Sequence, residues 1–138
     1  EQLATEYRRS YPGVPEVTVE QLQKLQLNHS VILVDVREEE ERLVSIIPGA
    51  ITPNRLAARH TEVKSARIVA YCTAGLRSSK YAAQLQKQGI DVHNLRGGIL
   101  AWVQALQPLA TLDGAQTTRL HVMGRKWDLA PQQNQTLW

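Results

Sequence analysis

The succession of apolar runs and helix signals in this chain predicts an α/β protein with a central, mainly parallel sheet flanked by helices. Three observations carry that prediction. Short continuous apolar runs, Val31 to Val36 and Arg67 to Tyr71 among them, have the length of buried strands and fall short of a membrane span. Segments with helical spacing follow these runs, so strands and helices alternate, an order that yields a parallel, doubly wound sheet. A length of 138 residues, with 43% hydrophobic and 21% charged residues, suits one ordinary globular domain.

Taken in order, residues 1 to 16 are polar, carry Tyr7, Tyr11, Pro12 and Pro15, and read as an arm leading into the domain. Thr18 and Gln21 have capping-box spacing, each side chain able to satisfy a backbone donor at a helix start, and Leu22, Leu25 and Leu27 supply an apolar stripe behind them. Val31 to Val36 reads as a strand buried on both faces. Glu38 to Val44 has helical character, with acids at the end where the helix dipole favours them. Pro48-Gly49 breaks the chain, Ala50-Ile51 starts a short extended piece, and Leu56 to His60 forms a helical turn. Arg67 to Tyr71 is the second clear strand. Ser78 to Gln88 places Tyr81, Ala82 and Leu85 at helical spacing, and Gly89 stands where a left-handed helix stop belongs. Val92 to Leu95 is a third strand, Gly97-Gly98 a tight turn, and Ile99 to Leu106 a helix closed by Pro108. Residues 117 to 138 read as a strand and an extended tail that packs through Trp127 and Trp138.

Composition narrows the function classes. A net charge of +3 favours small anionic substrates modestly. The Lys and Arg residues are scattered among acids and glutamines, so no nucleic-acid partner is expected. A single cysteine forbids an intrachain disulfide and a Cys-rich zinc site, and His29, His60, His93 and His121 lack close ligand spacing; no metal and no cofactor are expected. The chain opens on Glu1 rather than Met, as a trimmed or processed chain would, without a basic stretch leading into an apolar one. With no apolar run long enough for a membrane, the expected setting is the cytoplasm.

The segment with chemistry in it is Cys72-Thr73-Ala74-Gly75-Leu76-Arg77-Ser78, placed between a predicted strand and a predicted helix. Such a junction aims unpaired backbone N–H groups and the positive end of a helix dipole into one small volume. Gly75 lets the backbone curl, Ala74 keeps the concave face open, and Arg77 adds a permanent charge with a fork of donors suited to oxyanions. A cysteine at the lip of that nest ionises readily, and the thiolate is the form that attacks.

Cys72 to Arg77, with four residues between cysteine and arginine, resembles the active-site loop of the rhodanese family. Three further blocks agree in order and spacing. Asp35-Val36-Arg37 resembles the family's Asp-Val-Arg, Ile47-Pro48-Gly49-Ala50 its Ile-Pro-Gly-Ala turn, and Leu95-Arg96-Gly97-Gly98 with Trp102 its Gly-Gly…Trp signature. The resemblance covers about residues 17 to 108 and departs in two places: the Gly-His that often precedes the turn is here Ser45-Ile46, a change of packing rather than chemistry, and the segment after Pro108 is not part of the family's minimal domain. It implies a rhodanese-like three-layer domain over 17–108, an arm over 1–16, and an extension over 109–138 packing on the domain, to which it assigns no role.

The resemblance also implies a sulfurtransferase that takes a sulfane sulfur from a small anionic donor such as thiosulfate onto Cys72. The resulting persulfide then passes the sulfur to cyanide, a thiol or a protein. The amides of Ala74, Gly75, Leu76 and Arg77 would hold the terminal sulfur anion, with Thr73 in the same loop and Asp35, Arg37 and Ser78 in support. The Arg77 side chain would either bind the donor's sulfonate or brace the loop.

Blander readings compete. A lone cysteine is usually a small buried hydrophobe, a reading that the strand–loop–helix context of Cys72 reverses. Asp35 and Arg37 read as an ion pair or loop brace, Trp102 as core, and Gly97-Gly98 as a close backbone approach beside the loop. The run Glu38 to Glu41 and Arg42 read as a solvated face. Arg119, His121, Arg125 and Lys126 form a basic cluster in the tail with no specific task. Two other functions compete with sulfur transfer. One is a non-catalytic or partner-regulated interaction module on the same fold. The other is a cysteine-dependent phosphatase or arsenate reductase, whose loops set five residues between cysteine and arginine and need an acid for the leaving oxygen.

Overall fold

The computed structural model describes residues 13–59, 66–121 and 134–137. His60, Trp127, Trp138, Arg125, Lys126 and the first twelve residues, with Tyr7, Tyr11 and Pro12, lie outside these, as do the expectations placed on them.

Among the described residues a four-stranded parallel sheet forms the centre. Its strands are β1 (Glu16–Val17), β2 (Val31–Asp35), β3 (Arg67–Tyr71) and β4 (Val92–Leu95), laid side by side in the order β1-β4-β3-β2. Ile51 adds a single parallel bridge to Val34 beyond β2. The crossovers run through α1 (Val19–Asn28), α2 (Glu39–Val44), α3 (Pro53–Ala58) and α4 (Leu76–Lys87), and α5 (Gly98–Gln104) follows β4. None of these helices is long and apolar enough to cross a membrane.

The period-two alternation of strand side chains divides the core in two. Leu33, Val69, Tyr71 and Leu95 face one side, where Leu22 of α1 and Ile99, Trp102 and Val103 of α5 join them. Val34, Ile68, Ala70 and Val92 face the other, against Leu56 of α3 and Ala82 of α4. Helices thus cover both faces, the condition under which an all-parallel sheet is found. Val31 and Ile32, at the start of β2, stay partly accessible, so the strand is fully enclosed only in its second half.

Local chemistry explains the element ends. Thr18 caps α1 as a full capping box with Gln21, and Thr52 caps α3, whose first residue is Pro53. The helix expected over Leu56 to His60 therefore starts earlier, at a cap and proline read as loop. Gly89 closes α4 at φ +81°, a region glycine enters without strain. Leu27 does not join the apolar stripe of α1: it is 86% exposed, because Leu22 and Leu25 already complete the buried face. Residues 16 and 17, read as the end of an arm and the start of a domain, form the edge strand β1 instead. Two residues are too few for a period to show in sequence.

Beyond α5, Leu109 and Leu120 among the described residues pack into the same core. Trp102 is buried and its indole N–H donates to the Pro108 carbonyl over 2.7 Å. β5 (Leu109–Ala110) pairs antiparallel with β6 (Gln116–Thr117), and Ala110 bridges to Ile46. β7 (Arg119–His121) pairs parallel with β8 (Gln135–Leu137). Leu109 and Leu120 are enclosed in the cluster that holds Leu33 and Tyr71. Within the tail's basic residues Arg119 is exposed and His121 half-buried.

Candidate active site

The C-terminal ends of β2, β3 and β4 supply the site, where open parallel sheets hold their ligands. Cys72 follows the last residue of β3, and Gly75, at φ +121°, caps the start of α4. The segment therefore turns from strand to helix within the four residues Cys72, Thr73, Ala74 and Gly75, a turn that the positive φ of Gly75 makes possible.

Cys72 is 2% exposed, yet polar groups approach its sulfur. The Gly75 backbone N–H donates to Cys72 Sγ over 3.1 Å, and Ser78 Oγ lies 3.3 Å from it. Leu76, Arg77 and Ser78 occupy the first turn of α4, where backbone N–H groups have no acceptor within the helix. From below, the N-terminus of α5 clamps the loop: Ile99 N–H donates to the Cys72 carbonyl over 2.9 Å and Leu100 N–H to that of Thr73 over 3.2 Å. Gly98 makes this approach possible. A Cβ there would stand 2.4 Å from the Cys72 oxygen and 2.5 Å from the Thr73 oxygen, so the close approach read from Gly97-Gly98 is observed.

Arg77 does not reach into open space. Its Nη1 donates to Glu41 Oε2 over 2.6 Å, and its Nη2 to Glu41 Oε1 over 3.0 Å and to Thr73 Oγ1 over 2.9 Å. The Thr73 hydroxyl passes its own hydrogen to Glu41 Oε1 over 3.1 Å, and the Glu38 N–H donates to Glu41 Oε2 over 2.7 Å. Both carboxylate oxygens are thereby filled. Burial opposes the charge of Glu41, but the Arg77 hydrogen bonds, the Glu38 amide and the charges of Arg77 and Arg37 outweigh it and hold its carboxyl below the usual range. For Arg77 burial is again overcome, by Glu41 and the charge on Cys72, so its pKa is raised.

Glu41 corrects the reading of the acidic run as a solvated face. Glu38, Glu39 and Glu40 are exposed, whereas Glu41 is 2% exposed and ties α2 to the cysteine loop. Nor is Arg42 a freely solvated charge: it is half-buried and its Nε finds no acceptor.

Asp35 and Arg37 form the brace expected of them. Arg37 Nε lies 3.0 Å and 3.2 Å from the two Asp35 oxygens, and its Nη2 donates to Asp35 Oδ2 over 2.7 Å and to the Ser45 carbonyl over 2.6 Å. Tyr71 donates its hydroxyl hydrogen to Asp35 Oδ2 over 2.7 Å and accepts the Ile47 N–H over 3.0 Å. This fully buried unit locks β2, β3 and the Ile47-Pro48-Gly49-Ala50 turn together beside Cys72. Burial and the Asp35 charge push the Tyr71 hydroxyl well above its ordinary pKa, which keeps it a donor.

Behind the sulfur runs a second polar chain. Ser78 Oγ lies 2.6 Å from Asn94 Oδ1, and Asn94 Nδ2 donates to Ser79 Oγ over 3.0 Å and to Glu16 Oε2 over 3.3 Å. Asn94 escaped the sequence reading although a signal was present. It shares the inward face of β4 with Val92, and a polar residue at an inward strand position requires partners.

The site is thus a buried thiol at a strand end, with an amide and a hydroxyl on its sulfur and an arginine-braced loop around it. Comparison gives the family. The rhodanese-like domain family matches residues 18–105, and the chain belongs to that family. It is 37% identical over 106 residues to a sulfurtransferase from Allochromatium vinosum, spanning 73% of this chain and 99% of that one. It is 27% identical over 106 residues to a tRNA uridine(34) hydroxylase from Synechocystis, spanning 70% of this chain but 38% of that one. The crystal structure of a rhodanese-like domain protein from Staphylococcus aureus superposes with a TM-score of 0.56 at 30% identity, over 64% of this chain and 91% of that one. Together these support sulfurtransferase-type activity.

Proposed function

We propose that Cys72 carries sulfane sulfur as a persulfide, taking it from a small anionic donor such as thiosulfate. The observation that bears most weight is the Gly75 N–H aimed at Sγ over 3.1 Å at the start of a twelve-residue helix. The Cys72 thiolate attacks the outer sulfur of thiosulfate. A new S–S bond forms on Cys72 as the donor's S–S bond breaks, and its electron pair leaves with sulfite. The acceptor, cyanide or a thiol, then attacks the outer persulfide sulfur and the Cys72 thiolate departs with the electron pair of that bond. The first-turn amides of α4 supply fixed donors for the negative charge that the sulfur carries when it attacks and when it holds the transferred atom, as an oxyanion hole does for oxygen. Arg77, spent on Glu41 and Thr73, holds the loop in shape and lends its positive charge to the sulfur without leaving its partners.

Incubation with thiosulfate adds one sulfur to the intact mass in this reading, and cyanide then yields thiocyanate. Cys72→Ser is expected to abolish both while melting like the wild type. Retention of either signal in that variant would remove Cys72 from the reaction.

The likeness to the Synechocystis hydroxylase favours a second reading, in which this fold serves hydroxylation of a tRNA uridine. That likeness reaches only 38% of the relative's length. Sulfur uptake from thiosulfate by the isolated chain separates the two. A phosphatase role is disfavoured on geometry, because the arginine such enzymes present to an oxyanion is held by Glu41.

A further inference from the structure

The hydrogen count in the chain behind the sulfur is informative. Asn94 Nδ2 faces the Glu16 carboxylate, which only accepts, and that fixes the amide so that Oδ1 faces Ser78. Oδ1 carries no hydrogen, so the 2.6 Å contact has one possible direction: Ser78 donates to Asn94. A serine hydroxyl has a single hydrogen, and here it is spent. Toward Cys72 Sγ, 3.3 Å away, Ser78 therefore presents a lone pair, which suits a thiol S–H and opposes a thiolate. A third acceptor, the Gly75 carbonyl at 3.3 Å, already takes the Ser79 N–H and makes no strong claim on that hydrogen.

We propose that the Ser78 hydroxyl is a two-position switch, turned to Asn94 while the sulfur holds a proton and turned onto the sulfur once it is charged. Asn94 is then a positioning residue: its buried carbonyl competes with the sulfur for one hydrogen. Ionisation sends the thiol proton to solvent, gains Ser78→Sγ and leaves Asn94 Oδ1 without its donor in a dry site, a loss that restrains the thiolate. The inference deepens the reading of Cys72 as the working sulfur and rests on it for its place in the reaction. The charged groups around the switch are Arg77 on α4, Glu41 on α2 acting through Thr73, the Asp35–Arg37 pair beside β2, Glu16 on β1 and Arg96 after β4, whose Nε stands 3.6 Å from Glu16.

The test follows the thiolate by its ultraviolet absorbance across pH, with Cys72→Ser as the blank. The single cysteine makes the difference signal unambiguous, and no reagent has to reach the buried sulfur. Asn94→Leu frees the Ser78 hydrogen, and the half-formed point of the signal is expected to fall by about one pH unit, the size of one buried hydrogen bond no longer lost. In a Ser78→Ala background the same substitution is expected to move nothing, because no hydrogen remains to redirect. Asn94→Thr, which can donate as well as accept and suits a strand, guards against misfolding and is expected to move the point the same way by less.

An unchanged or raised midpoint in Asn94→Leu and Asn94→Thr overturns the switch. So does a shift that persists undiminished without the Ser78 hydroxyl, which would assign the effect to Glu16 alone. Thiosulfate loading of the same variants keeps the two readings apart: a displaced absorbance titration without sulfur uptake supports the switch and removes the donor.

Discussion

At the scale of single residues, the least expected feature is Glu41. It sits third from the cap of a short acidic helix, and nothing in a run of four glutamates marks one of them as internal. What singles it out is Arg77, thirty-six positions away and placed against it by the fold. Removing one partner of an enclosed pair leaves the other without compensation, typically at about 3–5 kcal/mol. Because the Arg77 side chain keeps 23% of its exposure, a smaller loss, about 2–3 kcal/mol, is expected for Glu41→Gln and for Arg77→Ala. If the pair is a brace, stability by chemical denaturation and the rate of sulfur loading fall together in both variants. Loss of donor use in Arg77→Ala at wild-type stability would instead show that the arginine binds substrate. Asp35→Asn removes the partner of a wholly buried guanidinium, so a cost nearer the upper end, about 4–5 kcal/mol, is expected from the same denaturation experiment.

At the scale of elements, the cysteine loop is held at two junctions: its own turn into α4, and the start of α5 packed beneath it. Gly97-Gly98 is legible in sequence as a tight turn, and the reason both are glycines becomes clear only here. A side chain at Gly98 would occupy the space of the Cys72 and Thr73 carbonyls, on a backbone at φ +60°. Those neighbours are main chain and cannot rotate aside. Gly98→Ala is therefore expected to destabilise by about 1–3 kcal/mol and to lower sulfur loading beyond its effect on folding, since the displaced atoms carry the sulfur. Comparing the denaturation midpoint with the loading rate of the surviving folded protein checks this. Element existence was legible for β2, β3, β4, α1 and α4, where apolar spacing and caps agree. The pairs β1, β5 and β6 were not, because strands of two residues owe their conformation to a neighbour's ladder and not to any pattern of their own.

At the scale of the molecule, ionic braces join the sheet, α2 and the cysteine loop, so folding responds to acid. The Glu41 carboxyl is held below the ordinary range, which means the unfolded chain binds its proton more readily than the folded one does. Its contribution is present in full above the ordinary carboxylate range and is lost as pH falls through that range toward the folded value. Melting temperature is accordingly expected to drop on acidification below about pH 4 in the wild type and to drop less steeply in Glu41→Gln. Asp91 and Asp113 have lowered values too, with the same sign, but they are exposed and solvent screens them.

Sequence alone determined the alternation of strand and helix, the caps at Thr18 and Gly89, and the placing of Cys72 to Arg77 between a strand and a helix. Each of these is a local matter, set by side-chain period, backbone freedom or the spacing of a few neighbours. Whether Arg77 faces a ligand or a carboxylate, that Glu41 is buried, and that Asn94 stands behind the sulfur were decided by tertiary structure. Partners separated by sixteen or thirty-six residues meet only when the sheet places them there, and a hydrogen bond leaves no mark on a sequence until both of its ends are in position.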